Sequence, residues 1–317
     1  MTALLGSTSY TVDPWDPGYG VADELYGQES SAEVELDFEL PAERWRPLDP
    51  APDVDLPATT LFLDGVRRID ARVWVHNDEP EPVPGVVASL AVGLLRCDGT
   101  ARIADIQVDR GLYTTAAEAV DLRTRHAAYA LRPAHGGPDR LVLAVQQRLL
   151  ELEVELAIRW RAEVEDDALL VVDGPLRGRT HLHRTVGYIK THNKTYLPTP
   201  QAQVVADLGA GQRTPVFSMG TSWQRRSWYL RLPEASTGTP WSGIVRLECP
   251  VELSSADAAR LADTTAALLP PLASRPHKDP RAPQNLVPIG GLERELRHRL
   301  GDPALLYRSL RAALHGG

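Results

Sequence analysis

The stretch ALLVVDGPLRGRTHLHRTVGYIK, residues 168–190, contains two apolar segments joined by a connection rich in arginine and histidine. Its first segment is uniformly apolar, as expected of a strand buried on both faces, and ends at Asp173-Gly174. Just upstream, LVLAVQQRLLELEVELAIRWRAEV (residues 141–164) has leucines at helical spacing and lacks Gly and Pro. This segment predicts a long helix. A helix followed by apolar strands indicates a mixed α/β fold around a central sheet.

The sequence before the helix predicts three more strands. TTLFLDG, residues 59–65, is apolar, and we expect it to end in a turn at its Asp-Gly pair. RRIDARVWVHN, residues 67–77, alternates polar and apolar side chains, so the two segments together predict a hairpin. GVVASLAVGLLRC, residues 85–97, predicts the third strand, which ends in a turn at Asp98-Gly99.

The sequence after residue 185 predicts short strands and then helices. The strand segments are VGYIK (186–190), TPVFSM (214–219), SWYLRL (227–232) and GIVRLEC (243–249). Residues 255–269 predict a helix that is stopped by Pro270-Pro271, and residues 292–314 predict two helices broken at Gly-Asp-Pro.

Composition excludes several classes of protein. The chain has 317 residues, of which 43% are hydrophobic and 24% charged, which is typical of a globular protein. No apolar run is long enough for a membrane helix, and the N-terminus lacks a secretion signal. Two cysteines provide neither a disulfide framework nor a Cys-type zinc site, so we expect a cytoplasmic protein.

Acidity is concentrated at the N-terminus. Residues 1–60 carry thirteen Asp and Glu against two Arg, whereas the remainder carries 29 acids and 32 bases. We therefore predict an acidic, Pro-rich arm or subdomain at residues 1–57, with a possible edge strand at 33–40, and a main domain at residues 58–317. The arm can contact a partner or cover a basic groove, and the sequence does not choose between these.

Two carboxylates follow apolar strands in the same way, Asp64 in LFLDG and Asp173 in LLVVDG. If these strands are neighbours, the carboxylates converge into a site suited to Mg²⁺ or Mn²⁺. If they are not, each Asp-Gly pair is an ordinary turn in a structural α/β domain. The helix adds Glu151, Glu153 and Glu155. Glu151 and Glu155 share one face and Glu153 points elsewhere, so we expect Glu151 or Glu155 either as a third metal ligand or as part of a solvated acidic surface on which Glu155 pairs with Arg159.

A basic stripe follows Asp173. Residues 174–232 contain nine Lys and Arg against one acid, interleaved with Tyr and Trp. Such a stripe is typical of nucleic-acid binding through phosphates and stacked bases, although an antiparallel sheet with arginines on its wet face has the same pattern. The candidate DNA-binding residues are Arg177, Arg179, Arg184, Lys194, Arg225 and Arg226.

The order of these motifs resembles that of the NurA nuclease family over residues 58–300. The resemblance lies in LFLDG, the Glu-bearing helix, ALLVVDGPL, GYIKTHNK, RRSWYLRL and GIVRLE. It implies an RNase H-like core, with a central mixed sheet flanked by helices, extra antiparallel strands and C-terminal helices. It also implies a deoxyribonuclease of the 5′–3′ exonuclease and single-strand endonuclease type. Such an enzyme acts with the hexameric HerA ATPase in DNA end processing, repair or phage defence.

The resemblance also implies the site residues. Asp64 and Asp173 would bind two Mn²⁺ or Mg²⁺ ions, with Glu155 as the third ligand and Glu151 as its competitor. Lys190 would lie beside the scissile phosphate. A homodimer is expected from the family.

One departure from the family motif lies near the C-terminus. The family has a helix that begins with Ala-His, and this His belongs to the active site. Here Gly290-Gly291 stands at that place, and His277 lies upstream. The departure supports an alternative in which the chain is a catalytically altered, DNA-binding adaptor subunit of a translocase complex.

Overall fold

The computed structural model describes residues 3–5, 8–10, 32–76, 81–192, 196–220, 223–233 and 241–314. The chain forms two compact units. The first comprises Met1–Phe62, Cys97–Ala101 and Arg161–Gly290, and the second comprises Leu63–Arg96, Arg102–Trp160 and Gly291–Gly317. Across the described residues, no helix is both long enough and apolar enough to cross a membrane.

The described residues form strands and α-helices in the following order. The strands are β1 (Ala3–Leu5), β2 (Thr8–Tyr10), β3 (Glu33–Glu35), β4 (Thr60–Val75), β5 (Val83–Cys97), β6 (Ala101–Thr114), β7 (Leu122–Arg123), β8 (Ala128–Pro133), β9 (Leu169–Asp173), β10 (Thr185–Ile189), β11 (Phe217–Gly220), β12 (Gln224–Arg231) and β13 (Ile244–Cys249). The α-helices are α1 (Pro138–Glu163), α2 (Thr199–Ala206), α3 (Ser255–Leu268), α4 (Val287–Arg299) and α5 (Pro303–Leu314).

The sheet of the first unit is mixed. Its strands follow the order β3-β11-β12-β13-β10-β9, and every neighbouring pair is antiparallel except β9 with β10, which is parallel. Helix α3 packs against β12, where Trp228 Nε1 donates to Thr265 Oγ1 at 3.2 Å. A buried aromatic core that includes Trp45, Phe217 and Tyr229 joins the acidic N-terminal segment to this sheet.

The sheet of the second unit has the order β4-β5-β6-β8-β7, with β6 and β8 parallel. Helix α4 packs closely on β5, because a Cβ at Gly93 would lie 2.8 Å from Leu296 Cδ2. Leu310 of α5 packs with Val87 and Leu112 in the core. Both units therefore combine a mixed sheet with helices, which confirms the predicted α/β class.

The turn predicted at Asp64-Gly65, and with it the hairpin, is wrong. Strand β4 runs without interruption through both residues. Residues 61–63 are fully buried. A turn directly after them would expose backbone groups to solvent, whereas a continuous strand keeps these groups hydrogen-bonded. Gly65 instead permits close packing of α1, since a Cβ there would lie 2.9 Å from Leu149 Cδ1.

Several predicted elements are confirmed. They are the long helix, the buried strand ending at Asp173, the helix ending before Pro270, and the two C-terminal helices separated at residues 300–302. Asp98-Gly99 forms the predicted turn, with Gly99 at a φ of 91°. Strands β6 to β8 and helix α2 were not predicted.

Acidic residues of the predicted N-terminal arm take part in the first unit. Strand β3 pairs with β11 and covers only residues 33–35 of the predicted edge strand. Glu39 accepts hydrogen bonds from two guanidinium nitrogens of Arg213, at 2.8 and 2.9 Å, and from the backbone N of Val216 at 2.6 Å. The predicted boundary at residue 57 stays a prediction.

We predict that His192 makes stability depend on pH. Burial, reinforced by the positive charge of Arg246, lowers the pKa of His192 from 6.5 to about 4, although Nε2 donates to the carbonyl of Ile244 at 2.9 Å. The unfolded chain then binds the proton more strongly than the folded chain. Stability is therefore fully present above pH 6.5 and is lost as the pH falls from 6.5 towards 4, by about 3 kcal/mol.

The measurement is urea unfolding of the wild type and of His192→Phe at several pH values in that window. Phe keeps an aromatic ring beside Trp241, on which His192 stacks at a centroid distance of 4.6 Å. The difference in stability between the two proteins should change with pH. A constant difference would contradict the prediction.

Candidate active site

Asp173 and Lys190 lie at the same edge of the first unit's sheet. Asp173 is the last residue of β9, and Lys190 directly follows β10, its parallel neighbour. Lys190 Nζ donates to Asp173 Oδ2 at 2.6 Å, and their side chains are only 1% and 9% exposed. Ligands of α/β sheets bind beyond the carboxyl ends of parallel strands, so this buried ion pair is the candidate site of the unit.

A second partner of Lys190 comes from the C-terminal part of the unit. Lys190 Nζ also donates to Asn285 Oδ1 at 2.8 Å, and Asn285 Nδ2 donates to Asp279 Oδ2 at 2.6 Å. Burial raises the pKa of Asp279, but hydrogen bonds from Arg281 and Asn285 outweigh it and leave the pKa below its usual value. Neither Asn285 nor Asp279 was predicted, because nothing in the local sequence connects them to β10.

The turn after Asp173 fits closely against β10. Gly174 has a φ of 113°, a conformation that favours glycine, and its N donates to Tyr188 O at 2.9 Å. Gly187 leaves room for this turn, because a Cβ there would lie 2.8 Å from Leu176 N and 2.9 Å from Gly174 O. The DGPL segment and Gly187 therefore depend on each other sterically.

Glu248 fixes the same turn from the other side. This fully buried carboxylate accepts from Leu176 N at 3.1 Å, from Arg225 Nε at 2.7 Å and from Arg246 Nη1 at 2.6 Å. Burial by itself raises the pKa of Glu248, but the charges of Arg246 and Arg225 outweigh burial and lower it. Glu248 was also missed at the sequence level, since GIVRLEC indicates only a strand.

Asp64 lies within β4 in the second unit and is 7% exposed. Its Oδ1 accepts from the N of Gly65 at 2.7 Å. On α1, Glu153 reaches the same point of the strand, because a Cβ at Gly65 would lie 3.2 Å from Glu153 Cδ. Glu153 is therefore the helix glutamate that meets β4 beside Asp64.

Glu155 and Glu151, the predicted third ligand and its competitor, lie on the outer face of α1. Arg148 Nη1 donates to both at 3.3 Å, and their side chains are 60% and 47% exposed. The sequence did contain the signal for Glu153, which is four residues after buried Leu149 and three before buried Leu156. Arg159 pairs with Asp105 and not with Glu155.

Carboxylate oxygens are suitable ligands for Mg²⁺ or Mn²⁺ in both units. The first unit offers Asp173, and the second offers Asp64 and Glu153. Within the described parts of the chain, however, no group of three or more His, Cys, Asp and Glu that could hold a metal ion is found. The donor chemistry fits a hard divalent ion.

The basic stripe is used largely inside the first unit. Lys190, Arg179, Arg213 and Arg225 are buried. Arg213 pairs with Glu39 and Asp263. Arg226 is partly buried, bonds to Ser218 and stacks over Phe38 at 3.7 Å. Arg177 is exposed, Arg184 is partly buried, and Lys194 lies outside the described residues.

The aromatic residues of the stripe also belong to the interior. Tyr188, Trp228 and Tyr229 are almost completely buried, so they are unavailable for stacking on bases. Trp223 is partly exposed, and Arg225 stacks over its ring at 4.4 Å.

Comparison with known families adds to this geometry. The NurA domain family matches residues 69–289, which is more than half of the chain. The chain belongs to the NurA family. None of the curated proteins matches the chain. NurA proteins are nucleases associated with HerA, so the chain is placed in a nuclease family.

The NurA match includes some site residues and omits one. Glu153, Asp173, Lys190 and Asn285 fall inside the matched range, whereas Asp64 lies five residues before it. Gly290 and Gly291, where the resemblance led us to expect a histidine, lie just beyond the matched range and are part of α4. A Cβ at Gly291 would meet nothing within 4 Å, so the helix has room for a side chain there.

We predict that Gly187→Ala destabilises the first unit by about 2 kcal/mol, because the new Cβ meets rigid backbone of the DGPL turn. Gly291→Ala is the matched control. It adds the same methyl group in open space within a helix and should stabilise the protein by about 1 kcal/mol. Chemical denaturation measures both, and equal effects of the two substitutions would refute the steric account.

Proposed function

We propose that the chain is a metal-dependent deoxyribonuclease that hydrolyses phosphodiester bonds. The observation that carries this proposal is the buried Asp173–Lys190 pair at the carboxyl ends of β9 and β10, within the range matched by the NurA domain. Phosphoryl transfer needs a carboxylate that binds a metal cation and a positive group that binds the phosphate. Asp173 and Lys190 are residues of these two types.

The proposed metal ligands are Asp64, Asp173 and a glutamate of α1. Glu153 is preferred over Glu155 and Glu151, since it faces β4 whereas the other two are exposed and paired with Arg148. Two bound Mn²⁺ or Mg²⁺ ions would supply an activated water and stabilise the leaving oxygen. The protein itself contributes the carboxylate oxygens and the ammonium of Lys190.

We propose fewer DNA-contacting residues than the sequence predicted. Arg177, Arg184 and Lys194 remain candidates, together with Lys190. Arg179, Arg225 and Arg226 are supported as structural residues, since the first two are buried and the third is held by Ser218 and Phe38. We further propose that the chain acts as a homodimer with a HerA-type hexameric ATPase. The process served would be DNA end processing, repair or phage defence, with 5′–3′ exonuclease and single-strand endonuclease activity.

An adaptor without full nuclease activity is the second candidate. Gly290-Gly291 favours it, because neither residue carries the imidazole that the family motif supplies. His277 is exposed and lies outside α4. This candidate predicts salt-sensitive DNA binding without metal-dependent cleavage, both alone and with the ATPase.

We predict that Asp64→Ala abolishes cleavage of end-labelled single- and double-stranded DNA. The loss should exceed the roughly 10–100-fold effect of outer partners of a metal site. The assay uses Mn²⁺, Mg²⁺ or EDTA, with and without a HerA-type ATPase, and circular dichroism verifies the fold. Retained cleavage in Asp64→Ala would contradict the assignment of Asp64 as a metal ligand. Inactivity of the wild type in every condition would favour the adaptor function.

We also predict that Glu153→Gln and Glu155→Gln differ. Glu153→Gln should raise the Mn²⁺ concentration needed for half-maximal cleavage by about tenfold or more, since it removes a charged ligand. Glu155→Gln, the matched control on the same helix, should change it less than about twofold, because it removes only an exposed ion pair. The reverse order would restore Glu155 as the ligand.

A further inference from the structure

Lys190 is held by two groups from different parts of the first unit. Its Nζ donates to Asp173 Oδ2 at 2.6 Å and to Asn285 Oδ1 at 2.8 Å. An ammonium has three N–H donors and no acceptor, so two bonds in different directions fix where the nitrogen lies. Asn285 reaches Lys190 from far along the chain and is fully buried.

The orientation of the Asn285 amide is itself determined. Its Nδ2 donates to Asp279 Oδ2 at 2.6 Å, so its oxygen has to face Lys190. Asp279 is in turn held by Arg281, whose backbone N and Nε donate to Oδ1 at 2.8 and 3.1 Å. The residues form one chain of contacts from Arg281 through Asp279 and Asn285 to Lys190 and Asp173.

The backbone on either side of this contact is also fixed. Tyr188 OH donates to Gln284 O at 2.7 Å, and Gln284 Nε2 donates to Lys190 O at 3.2 Å. These two bonds hold Gln284, in the segment before α4, against Tyr188 and Lys190. Asn285 therefore cannot shift along the strand without breaking several buried hydrogen bonds.

The choice of an amide at this position has a chemical consequence. A second carboxylate bound to Lys190 would give the cluster a net negative charge. Asn285 binds the ammonium without adding charge. Among the described residues, Asp173 is the carboxylate that pairs with Lys190, and the ammonium can also bind an anionic oxygen. A phosphodiester oxygen is the anion that fits the proposed function, on which this step rests.

We propose that Asn285 is a positioning residue that holds the Lys190 ammonium beside Asp173 for contact with a DNA phosphate. Asp279 acts through Asn285 by fixing the direction of its amide. In this role both residues act through Lys190, the group proposed to contact the phosphate.

The test is amine labelling read by mass spectrometry, which requires no catalytic activity. The chain contains only three lysines, Lys190, Lys194 and Lys278, and Lys278 is exposed and provides an internal reference. In the metal-free wild type, Lys190 should react far more slowly with an acylating reagent than Lys278. Asn285→Ala should raise the ratio of the two rates by about tenfold or more, because Lys190 loses one of its two anchors.

Two further variants separate positioning from unfolding. Asn285→Asp keeps an oxygen acceptor for Lys190 but loses the hydrogen bond to Asp279, and it should leave Lys190 more protected than Asn285→Ala does. Gln203→Ala removes an exposed amide that donates to Asp207 and should leave the ratio unchanged. An unchanged ratio in Asn285→Ala would overturn the proposal, and so would equal deprotection in Asn285→Ala and Asn285→Asp.

Cleavage with Mn²⁺ and the ATPase is the second readout. Asn285→Ala should lower kcat by about tenfold or more while KM changes less than about twofold, and Asn285→Asp should also lower kcat, because its carboxylate adds a second negative charge beside Lys190. Equal effects on kcat and KM from both variants would count against positioning. If the wild type does not cleave DNA but labelling changes as expected, the placement of Lys190 stands and the nuclease function fails.

Discussion

The buried carboxylate of Glu248 is the constraint around which the first unit is arranged. It has no contact with solvent, so its charge has to be balanced within the protein. Arg225 and Arg246 supply that balance from β12 and β13, and the N of Leu176 supplies a third donor from the turn after β9. One side chain therefore joins two antiparallel strands to the segment that carries Asp173. Gly187 completes the arrangement by leaving space for that segment.

Much of the fold follows from the sequence because its long elements are strongly patterned. The leucines of α1 and the apolar run of β9 determine those elements locally, and Pro270 and Gly301 mark helix ends. The prediction at Asp64-Gly65 was wrong because this dipeptide occurs in two settings. It forms a turn where its surroundings are exposed, and it continues a strand where a helix packs over the glycine. Only the tertiary neighbours Leu149 and Glu153 distinguish the two cases.

The site was predictable only in part. Asp173 and Lys190 come from adjacent strands, and the order of motifs identified them. Asn285 and Asp279 belong to a segment whose position depends on hydrogen bonds to β10, which no local pattern encodes. Glu153 could have been predicted from the helical periodicity, since it shares a face with Leu149 and Leu156. The basic stripe was counted correctly, but its partners Glu39 and Asp263 lie far away in the sequence.

The internal pairing of that stripe limits how the protein can hold DNA. Each phosphate neutralised by a side chain releases condensed counterions and adds about 0.9 to the slope of log affinity against log salt. Arginines already bound to Glu39, Asp263 and Glu248 release none. Arg213 and Arg225 should therefore contribute little to the salt dependence of DNA binding. Arg177, Arg184, Lys190 and Lys194, the remaining candidates, would then make the phosphate contacts of the chain.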